Sequence, residues 1–362
     1  MKLSKNIYRR KDGRYESRVS LGKDMNGKRR YRSYYGNTAE EAEFKMLAAR
    51  ECVAVPADLT EMTVKELTIE YISTIRPRLK ESSEANYRLK SEKHIIPAFG
   101  NMKCCLLKAK DVYGFIENKL KNGLSARYVA DIVVLLKSVY RYASRVYGIN
   151  NYLEGIVMPK CTKPQITLLS KSEQSRLSAY LNEDFDLNAL GITLSLHTGI
   201  RIGELCALQW KDVDLANRTI TVRKTVQRIS NYSGKSRTKL VITEPKSQSS
   251  VRVIPIPDFL VAMLERFKDS DEKYVLSGKY SPVETRTVQY RFAAILKKAN
   301  LPSVHFHSLR HAFATNCIAL GFDVKTLSEI LGHSSVEITL NRYVHSSLDR
   351  KRACMDMVKW VA

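Results

Sequence analysis

The spacing of apolar positions changes along the chain and predicts different elements in different parts. Residues 6–36 alternate between apolar and polar positions in short runs that are separated by Asp12-Gly13 and Asn26-Gly27. Such turn pairs between alternating runs predict a three-stranded antiparallel sheet. Thr38 then precedes acidic residues and a helical period that reaches about Cys52, which predicts one capped helix.

From residue 59 to about residue 148 the apolar period is helical. Capping residues, prolines and glycines set the bounds of the predicted helices: 63–75 before Pro77, 82–96 before Pro97, one that ends near Gly123, and a long one that Ser125 opens. In the long helix one apolar stripe is buried, while Lys137, Arg141 and Arg145 face outward. This part is predicted to be a small helical bundle with a basic surface.

The last part mixes helical periods with strands predicted at 219–222, 240–243 and 251–254 and a hairpin tip at 231–234. The predicted fold class is therefore multidomain and mainly α with α+β parts. The predicted domains are a three-stranded sheet plus helix at 1–57, a helical domain at 58–155, a linker at 156–168 and a mixed α/β domain at 169–362.

The formal net charge of the 362 residues is +23, and Lys and Arg outnumber Asp and Glu in every part. Charge spread over all parts is typical of a protein that lies along a polyanion, whereas one basic tail would suggest a single anchor. The alternative is a basic surface that serves only solubility.

Composition also bears on where the protein works. No apolar run is long enough to span a bilayer, and the first residues lead into Arg9-Arg10-Lys11. We expect a soluble, cytoplasmic protein without membrane attachment. The 7 cysteines form no C-x-x-C pair and are odd in number, so we expect reduced and mostly buried thiols.

Two arginines, two histidines and a tyrosine stand in motifs that suit phosphate chemistry. The motifs are Thr198-Gly199-Ile200-Arg201-Ile202-Gly203-Glu204, His307-Ser308-Leu309-Arg310-His311, Leu331-Gly332-His333 and Arg342-Tyr343. The fork of an arginine grips two non-bridging phosphate oxygens and keeps its charge, so Arg201 and Arg310 can hold a phosphodiester through a charged transition state. Tyr343 is the natural nucleophile for such a phosphate.

The tyrosine and the leaving group both need help. A free tyrosine has a pKa of about 10, so making the phenolate fully available at pH 7 costs about 4 kcal/mol. Nearby cations lower that cost. The leaving 5′-oxygen needs a proton, and Lys246, in a turn between two predicted strands, is the candidate general acid. Because one phosphodiester is exchanged for another, no ATP and no other cofactor is required.

Other interpretations of these residues stay open. Lys246 could be a solvated surface charge, and Arg201, expected to open a helix that runs to Trp210, could form a surface salt bridge. His307 and His311 stand at i, i+4, but no glutamate lies between them and no third ligand is suggested, so we expect no metal.

The neighbours of these residues have structural interpretations. His311 is expected to be a structural histidine, and Glu204 is expected to form an ion pair within its helix. Gly332 is expected to cap a helix, which would hold His333 at a fixed corner between two helices. A fixed corner suits a hydrogen-bonding catalytic group.

Basic residues in the first two parts are candidate DNA contacts. One exposed face of the sheet is expected to carry Arg9, Arg18, Arg30 and Arg32, interleaved with Tyr15, Tyr31, Tyr34 and Tyr35. A β-ribbon of that width fits the major groove, although a solvated basic sheet is the alternative. Lys137 and Arg141 are the candidates on the long helix.

In order, spacing and chain position, the motifs quoted above and the Lys246 turn resemble the tyrosine recombinase (phage integrase) family. The resemblance covers essentially the whole chain. It implies that Arg201 and Arg310 clamp the phosphate, Lys246 is the β-hairpin acid, His307 is an acid/base or phosphate ligand, His333 is a transition-state donor and Tyr343 is the nucleophile. It also implies a core-binding helical domain and a catalytic domain that close as a clamp around DNA, preceded by an arm-type DNA-binding domain like those of conjugative-transposon and phage integrases.

The resemblance implies a function and partners as well. The expected activity is site-specific recombination through a 3′-phosphotyrosyl intermediate, which integrates and excises a mobile element. The expected partners are double-stranded DNA at core and arm sites and further copies of the chain, as a tetramer that exchanges the segment 345–362 between protomers. An excisionase and a host DNA-bending protein are left open. The expected location is the bacterial cytoplasm, in association with the nucleoid.

Alternative functions differ in what they require. A chromosome or plasmid Xer-like resolvase would share the chemistry, and a type IB topoisomerase would use it as a monomer to relax DNA. A non-catalytic DNA-binding regulator would need a broken catalytic set, whereas every position is filled here. A metal-dependent DDE integrase is disfavoured because no comparable carboxylate constellation is present, and full activity in EDTA would decide against it.

Overall fold

The computed structural model describes residues 7–23, 29–52, 61–161, 167–232, 236–244 and 251–343, together with Arg352 and Asp356. Within these ranges the side chains of residues 19–23, 29, 30, 32, 47–52 and 341–343 are not described. Several predicted features lie outside the described residues, namely the Asn26-Gly27 turn, the end of the hairpin tip at 231–234, the Lys246 turn, the middle of the linker at 156–168 and most of the segment 345–362.

The chain divides into two compact units, Met1–Lys163 and Pro164–Ala362. It is mainly helical with small antiparallel sheets, which confirms the predicted fold class. No helix in the described ranges is long and apolar enough to cross a membrane. The cysteines that the structure describes are free thiols.

The first unit begins with the predicted antiparallel sheet, in the order β1-β2-β3. The strands β1 (Ile7–Arg9), β2 (Tyr15–Lys23) and β3 (Arg29–Gly36) lead into the helix α1 (Ala39–Cys52). Ser17, fully buried, donates a hydrogen bond of 2.7 Å to Met46 Sδ of α1, so the helix covers one face of the sheet. Gly36 is needed where β3 meets α1, because a Cβ there would lie 2.5 Å from the backbone nitrogen of Ala42.

The rest of the first unit is a helical bundle. Its helices are α2 (Val64–Ile75), α3 (Glu81–Lys90), α4 (Ile96–Phe99), α5 (Ala109–Lys121) and α6 (Ala126–Tyr147). Thr63 and Ser125 cap α2 and α6 as predicted, since their hydroxyls accept the backbone N–H groups of Glu66 and Tyr128 at 3.2 and 3.3 Å. The apolar stripe of α6 is buried in the centre of this bundle.

Pro97 does not end its helix as predicted. The chain passes from α3 through a π turn, Ser91–Ile95, into α4, where proline occupies the first turn. Proline is tolerated there because its missing N–H would have no partner within that turn.

The π turn buries a histidine. His94 is 5% exposed, its ring meets the Tyr128 ring edge-on at 5.4 Å, and within the described part of the chain neither ring nitrogen has a hydrogen-bond partner. Burial, followed by the charges of Lys119 and Lys93, lowers the pKa of His94 below its usual value. The fold therefore holds His94 neutral.

The second unit places two small sheets among helices. The helices are α7 (Lys171–Glu183), α8 (Leu187–Thr198), α9 (Ile202–Ala207), α10 (Asp258–Glu265), α11 (Thr285–Lys298), α12 (His307–Ala319), α13 (Val324–Leu331) and α14 (Val336–Tyr343). The helix α8 is apolar and buried along almost its whole length, so it forms the centre of the core. The helix α9 ends at Ala207 and not at Trp210 as predicted, because Trp210 belongs to a separate 3₁₀ turn.

The strands of this unit form one three-stranded and one two-stranded sheet. They are β4 (Val213–Asp214), β5 (Thr219–Val222), β6 (Thr225–Ser230), β7 (Thr238–Thr243) and β8 (Arg252–Pro255), and the sheets have the orders β4-β5-β8 and β6-β7. The strand β6 was not predicted. The described strand β7 pairs with β6 and β8 pairs with β5, so the segment 245–250, which contains Lys246, stands in the chain between strands of two different sheets.

Candidate active site and nucleic-acid face

Arg201 reaches its place through a left-handed turn at the end of α8. Gly199 has φ of +65°, and a Cβ there would lie 2.5 Å from the Phe313 ring and 2.8 Å from the Leu331 side chain. Only glycine fits both the backbone conformation and this contact. Arg201 then stands at the start of α9, where a third of its side chain is exposed.

Arg201 is held from two sides. Its Nη1 donates to Glu204 Oε1 at 2.7 Å and its backbone N–H donates to Glu204 Oε2 at 3.0 Å. Its Nη2 donates to the carbonyl oxygen of Gly332 at 2.9 Å. The guanidinium therefore lies beside the corner that carries His333.

Arg310 lies on the other side of the same corner. It is 2% exposed, and its Nη1 and Nη2 donate to the carbonyl oxygens of Gly199 at 2.7 Å and Leu331 at 2.6 Å. One guanidinium thus ties the end of α8 to the end of α13. The two predicted clamp arginines, from distant stretches of the chain, meet at one place.

A third arginine completes the corner. Arg252 of β8 donates from Nε to the carbonyl oxygen of Ile330 at 2.6 Å. Consecutive carbonyls at the end of α13, those of Ile330, Leu331 and Gly332, therefore each accept a hydrogen bond from a different arginine. Cations are stabilised there because the C-terminal end of a helix carries partial negative charge.

Glu204 links two of these arginines. Its side chain is 4% exposed, and its carboxylate accepts from Arg252 Nη2 at 2.8 Å and Nη1 at 3.2 Å as well as from Arg201. Burial alone would raise the pKa of Glu204, but the hydrogen bond from Arg252 and the charges of Arg252 and Arg201 hold that pKa below its usual value. Glu204 is therefore ionised, and its pairing extends beyond its own helix.

The histidines take two different positions. His333 Nδ1 lies 2.8 Å from Thr339 Oγ1, and Thr339 is fully buried on α14. His307 is exposed at the start of α12, one turn before Arg310, and its ring meets that of the buried His311 at 4.7 Å. His307 thus lies one helical turn before Arg310, and His333 directly follows Gly332, whose carbonyl oxygen accepts a hydrogen bond from Arg201.

Less is described of the other two predicted site residues, Lys246 and Tyr343. Lys246 lies outside the described residues. The backbone of Tyr343 is described as the last residue of α14, one helical turn beyond Thr339, and its side chain is not described. The helix α14 packs against α13 and α12 and so joins the same corner.

Sequence reasoning missed Arg252 and Thr339. Arg252 was predicted only as part of a strand, yet it is 8% exposed, whereas Val251 and Val253 on either side are 50% and 55% exposed. The available signal was alternation along the strand. Ile254 and Ile256 follow Arg252 by two and four positions, so they face the same side as Arg252, and both are buried. Thr339 carried no distinctive signal.

The register of the N-terminal sheet corrects the predicted DNA-contact face. Arg9 pairs with Tyr15 and Arg18 pairs with Ser33, so the two arginines lie on opposite faces because successive positions alternate. The four arginines predicted to share a face therefore do not. The side chains of Arg30 and Arg32 belong to the part that is not described.

The open face of the sheet carries a different basic cluster, built on Glu16. This carboxylate is 4% exposed and accepts from Arg18 Nε at 2.9 Å, from Ser33 Oγ at 2.6 Å and from Arg10 Nη1 at 3.4 Å. Arg18 stacks over Tyr8 at 5.5 Å, and Arg10 stacks over Tyr35 at 5.2 Å. The stacked arginines form an exposed, ordered basic face.

The two candidate contacts on α6 also separate. Lys137 is half-buried, and its Nζ donates to the carbonyl oxygen of Glu154 at 2.7 Å and to that of Ile156 at 3.4 Å. It therefore fastens the segment after α6 and does not face outward as predicted. Arg141 is exposed as predicted.

Within the described residues, no group of three or more His, Cys, Asp or Glu is arranged to hold a metal ion. The His307–His311 pair is a ring contact. The described chemistry of the corner is that of guanidinium, carboxylate and imidazole groups.

Comparisons with known proteins give two family matches and several relatives. Residues 167–350 match the Phage integrase family, and residues 63–120 match the Phage integrase, N-terminal SAM-like domain. The chain is 26% identical over 361 residues to the tyrosine recombinase XerC-like protein of Caldanaerobacter subterraneus, a match that covers 91% of this chain and 92% of that protein. It is 24% identical over 362 residues to the ICEBs1 integrase of Bacillus subtilis, with 95% and 96% covered.

A solved structure is similar as well. The Tn1549 transposon integrase in complex with transposon right end DNA matches with a TM-score of 0.69 at 25% identity, over 82% of this chain and 99% of that chain. The chain therefore belongs to the phage integrase family. It is a tyrosine site-specific recombinase, an enzyme that cleaves and rejoins DNA strands.

Proposed function

We propose that this recombinase integrates and excises a mobile DNA element, and that Tyr343 is its nucleophile. The observation that carries the proposal is the convergence of Arg201 and Arg310 on the corner that bears His333, at the helix end from which α14 leads to Tyr343. Two guanidiniums at one place suit a single phosphate that gains charge during attack.

The proposed reaction is a transesterification. The Tyr343 hydroxyl gives its proton to His307 or to water, and its oxygen attacks the scissile phosphorus and forms a 3′-phosphotyrosyl bond while the bond from phosphorus to the 5′-oxygen breaks. Lys246 donates a proton to the leaving 5′-oxygen, which departs as a hydroxyl. In this scheme Arg201 and Arg310 hold the non-bridging oxygens, and His307 and His333 donate hydrogen bonds to them. Attack by the 5′-hydroxyl of another strand reverses the step.

The mobile-element assignment is supported by relatives. One is an integrase named for ICEBs1, and the solved structure shows a transposon integrase with transposon end DNA. We assign residues 1–57 to an arm-type DNA site, 58–155 to the core site and 169–362 to catalysis. The basic face built on Glu16, with Arg10 and Arg18, is the surface that we assign to the arm site.

The proposed partners follow from the reaction. Exchange between two duplexes requires four strand cuts, so we propose a tetramer of this chain on DNA, with the segment 345–362 exchanged between protomers. Binding one protein to arm and core sites bends the DNA between them, which costs about 1–6 kcal/mol over a short site. A host DNA-bending protein and an excisionase are the partners that we propose to supply this bend in the bacterial nucleoid.

A resolvase function is the second candidate, because one of the relatives is named XerC-like and matches over nearly its whole length. A resolvase recombines two identical core sites without element ends. Recombination of paired core sites as efficient as that of paired element ends would favour it.

The test of the proposal is covalent trapping. A suicide DNA substrate with a nick near the scissile phosphate should yield a protein–DNA adduct with the wild type and none with Tyr343→Phe, while DNA binding is kept. The matched control is Tyr280→Phe, which removes a hydroxyl from an exposed ring and should leave trapping intact. Adduct formation by Tyr343→Phe would refute the assignment, and full activity in EDTA would support chemistry without a metal.

A further inference from the structure

Arg252 is buried between the two halves of the candidate site. Its side chain is 5% exposed, and its guanidinium contacts Glu204 with two nitrogens while its Nε donates to the carbonyl oxygen of Ile330. One rigid, planar group thus contacts the carboxylate that holds Arg201 and also the corner that carries His333.

The fit around Arg252 is close on its other side as well. A Cβ added to Gly332 would lie 2.9 Å from Arg252 Cδ and 3.1 Å from Nη1. The corner therefore rests on the side chain of Arg252, and a shift of this side chain must move the corner. Since interiors are densely packed, such shifts are transmitted and not absorbed.

Glu204 makes Arg201 sensitive to Arg252. The carboxylate lies between two guanidiniums, one 5% exposed and fixed, the other 33% exposed. Without Arg252, the buried carboxylate would keep Arg201 as its remaining described cation and would draw that guanidinium inward. The Arg201 N–H groups that should donate to a phosphate would then donate to Glu204.

We propose that Arg252 is a positioning residue for DNA cleavage, which aims Arg201 through Glu204 and sets the His333 corner through Ile330. This inference rests on the proposed function of the Arg201 site. Arg252 itself does not touch the phosphate in this scheme. It acts by fixing where the phosphate-binding groups point.

A structural role alone would also make Arg252 necessary, so the test needs a measurement that separates the two. Single-turnover adduct formation is measured on a suicide substrate with a normal scissile phosphodiester and on one with a methylphosphonate there. The methylphosphonate lacks the negative charge that an arginine neutralises. A variant in which the Arg201 guanidinium is misplaced should therefore recover its rate of adduct formation on this substrate. A variant that is merely misfolded should be equally impaired on both substrates.

The variant is Arg252→Met, with Arg252→Lys as the second variant because it keeps the charge without the planar fork. Arg228→Met is the matched control, since Arg228 pairs with Glu284 on the exposed surface of the same unit. We expect Arg252→Met to slow adduct formation on the phosphodiester by about 10²-fold, as is typical for a misplacement of this kind. We expect a deficit at least tenfold smaller on the methylphosphonate, as for Arg201→Ala, and wild-type rates for Arg228→Met.

A second measurement tests the route through Arg201. Since one of the two routes from Arg252 runs through Arg201, the double variant Arg201→Ala/Arg252→Met should lose clearly less rate than the product of the two single losses. Equal deficits on both substrates, multiplicative losses in the double variant, or wild-type rates for Arg252→Met and Arg252→Lys would each overturn the inference. A wild type that forms no adduct, or a Tyr343→Phe variant that does, would instead contradict the proposed function.

Discussion

Replacement of Gly332 by alanine is a sharp test of the corner that carries His333. Gly332 caps α13 with φ of +63° and ψ of 51°, which is the left-handed region. Its added Cβ would lie 2.9 Å from Arg252 Cδ, 3.1 Å from Nη1 and 3.2 Å from Nε. Arg252 cannot move away easily because Glu204 and the carbonyl oxygen of Ile330 hold it.

The chain offers a matched control for this substitution. Gly321, in the same unit, has φ of +89°, and an added Cβ there would meet nothing within 4 Å. Gly321→Ala therefore introduces backbone strain alone, about 1–2 kcal/mol, reduced by about 0.5 kcal/mol because alanine restricts the unfolded chain. Gly332→Ala adds overpacking of about 1–3 kcal/mol.

The expected losses of stability are therefore about 1 kcal/mol for Gly321→Ala and about 3 kcal/mol for Gly332→Ala. For a unit of this size each kcal/mol lowers the melting temperature by about 2–4 °C, so the expected shifts are about 3 °C and about 9 °C. Differential scanning calorimetry of the full chain measures them. In the trapping assay Gly332→Ala should also lose about 10²-fold in rate, because its carbonyl positions Arg201.

Two results would refute this reasoning. Equal shifts for the two variants would show that the contact with Arg252 carries no free energy. A destabilised Gly332→Ala that forms the adduct at the wild-type rate would show that the corner does not position the reacting groups.

Three further predictions concern the first unit. Removal of residues 1–57 should spare covalent cleavage at a core site and impair integration or excision of complete elements, and equal recombination would contradict the arm-site assignment. Because the fold lowers the pKa of His94, the unfolded chain binds a proton that the folded chain does not. The free energy of unfolding should therefore fall as the pH drops below about 6.5. His94→Phe should flatten this pH dependence of the melting temperature, and an unchanged slope would contradict the assignment. Arg141→Ala should weaken DNA binding and reduce the slope of log binding constant against log salt concentration by about 1, without changing the melting temperature. Lys137→Met should instead lower the melting temperature, because Lys137 Nζ donates to the carbonyl oxygen of Glu154. The opposite pattern would reverse the two roles.

The elements that local chemistry controls could be predicted from the sequence. Caps at Thr63 and Ser125 and the glycine that ends α13 depend on contacts within one turn, and all three are present. Pro97 was misjudged because the π turn before it changes the helical path, which no local rule for proline contains. The prediction that four arginines share one face of the sheet was wrong, because the register decides which residues of neighbouring strands lie on the same face.

The candidate site shows the same division. That Arg201 and Arg310 meet beside His333 could be predicted, because their motifs combine residue types that phosphate chemistry needs. Arg252 could not, because its importance comes from contacts with residues that lie 48 and 78 positions away in the sequence. Alternation with Ile254 and Ile256 indicated a buried position, but only packing of the second unit shows which groups Arg252 contacts.

The position of Arg252 also bears on the segment that carries Lys246. This segment connects β7 of one sheet to β8 of another, and Arg252 is the first residue of β8. The first residue of β8 is thus held by Glu204 and by the end of α13. A general acid must reach the leaving oxygen while the clamp holds the same phosphate, so its carrier needs a fixed point in the frame of the clamp. Under the proposed role of Lys246, Arg252 is that fixed point.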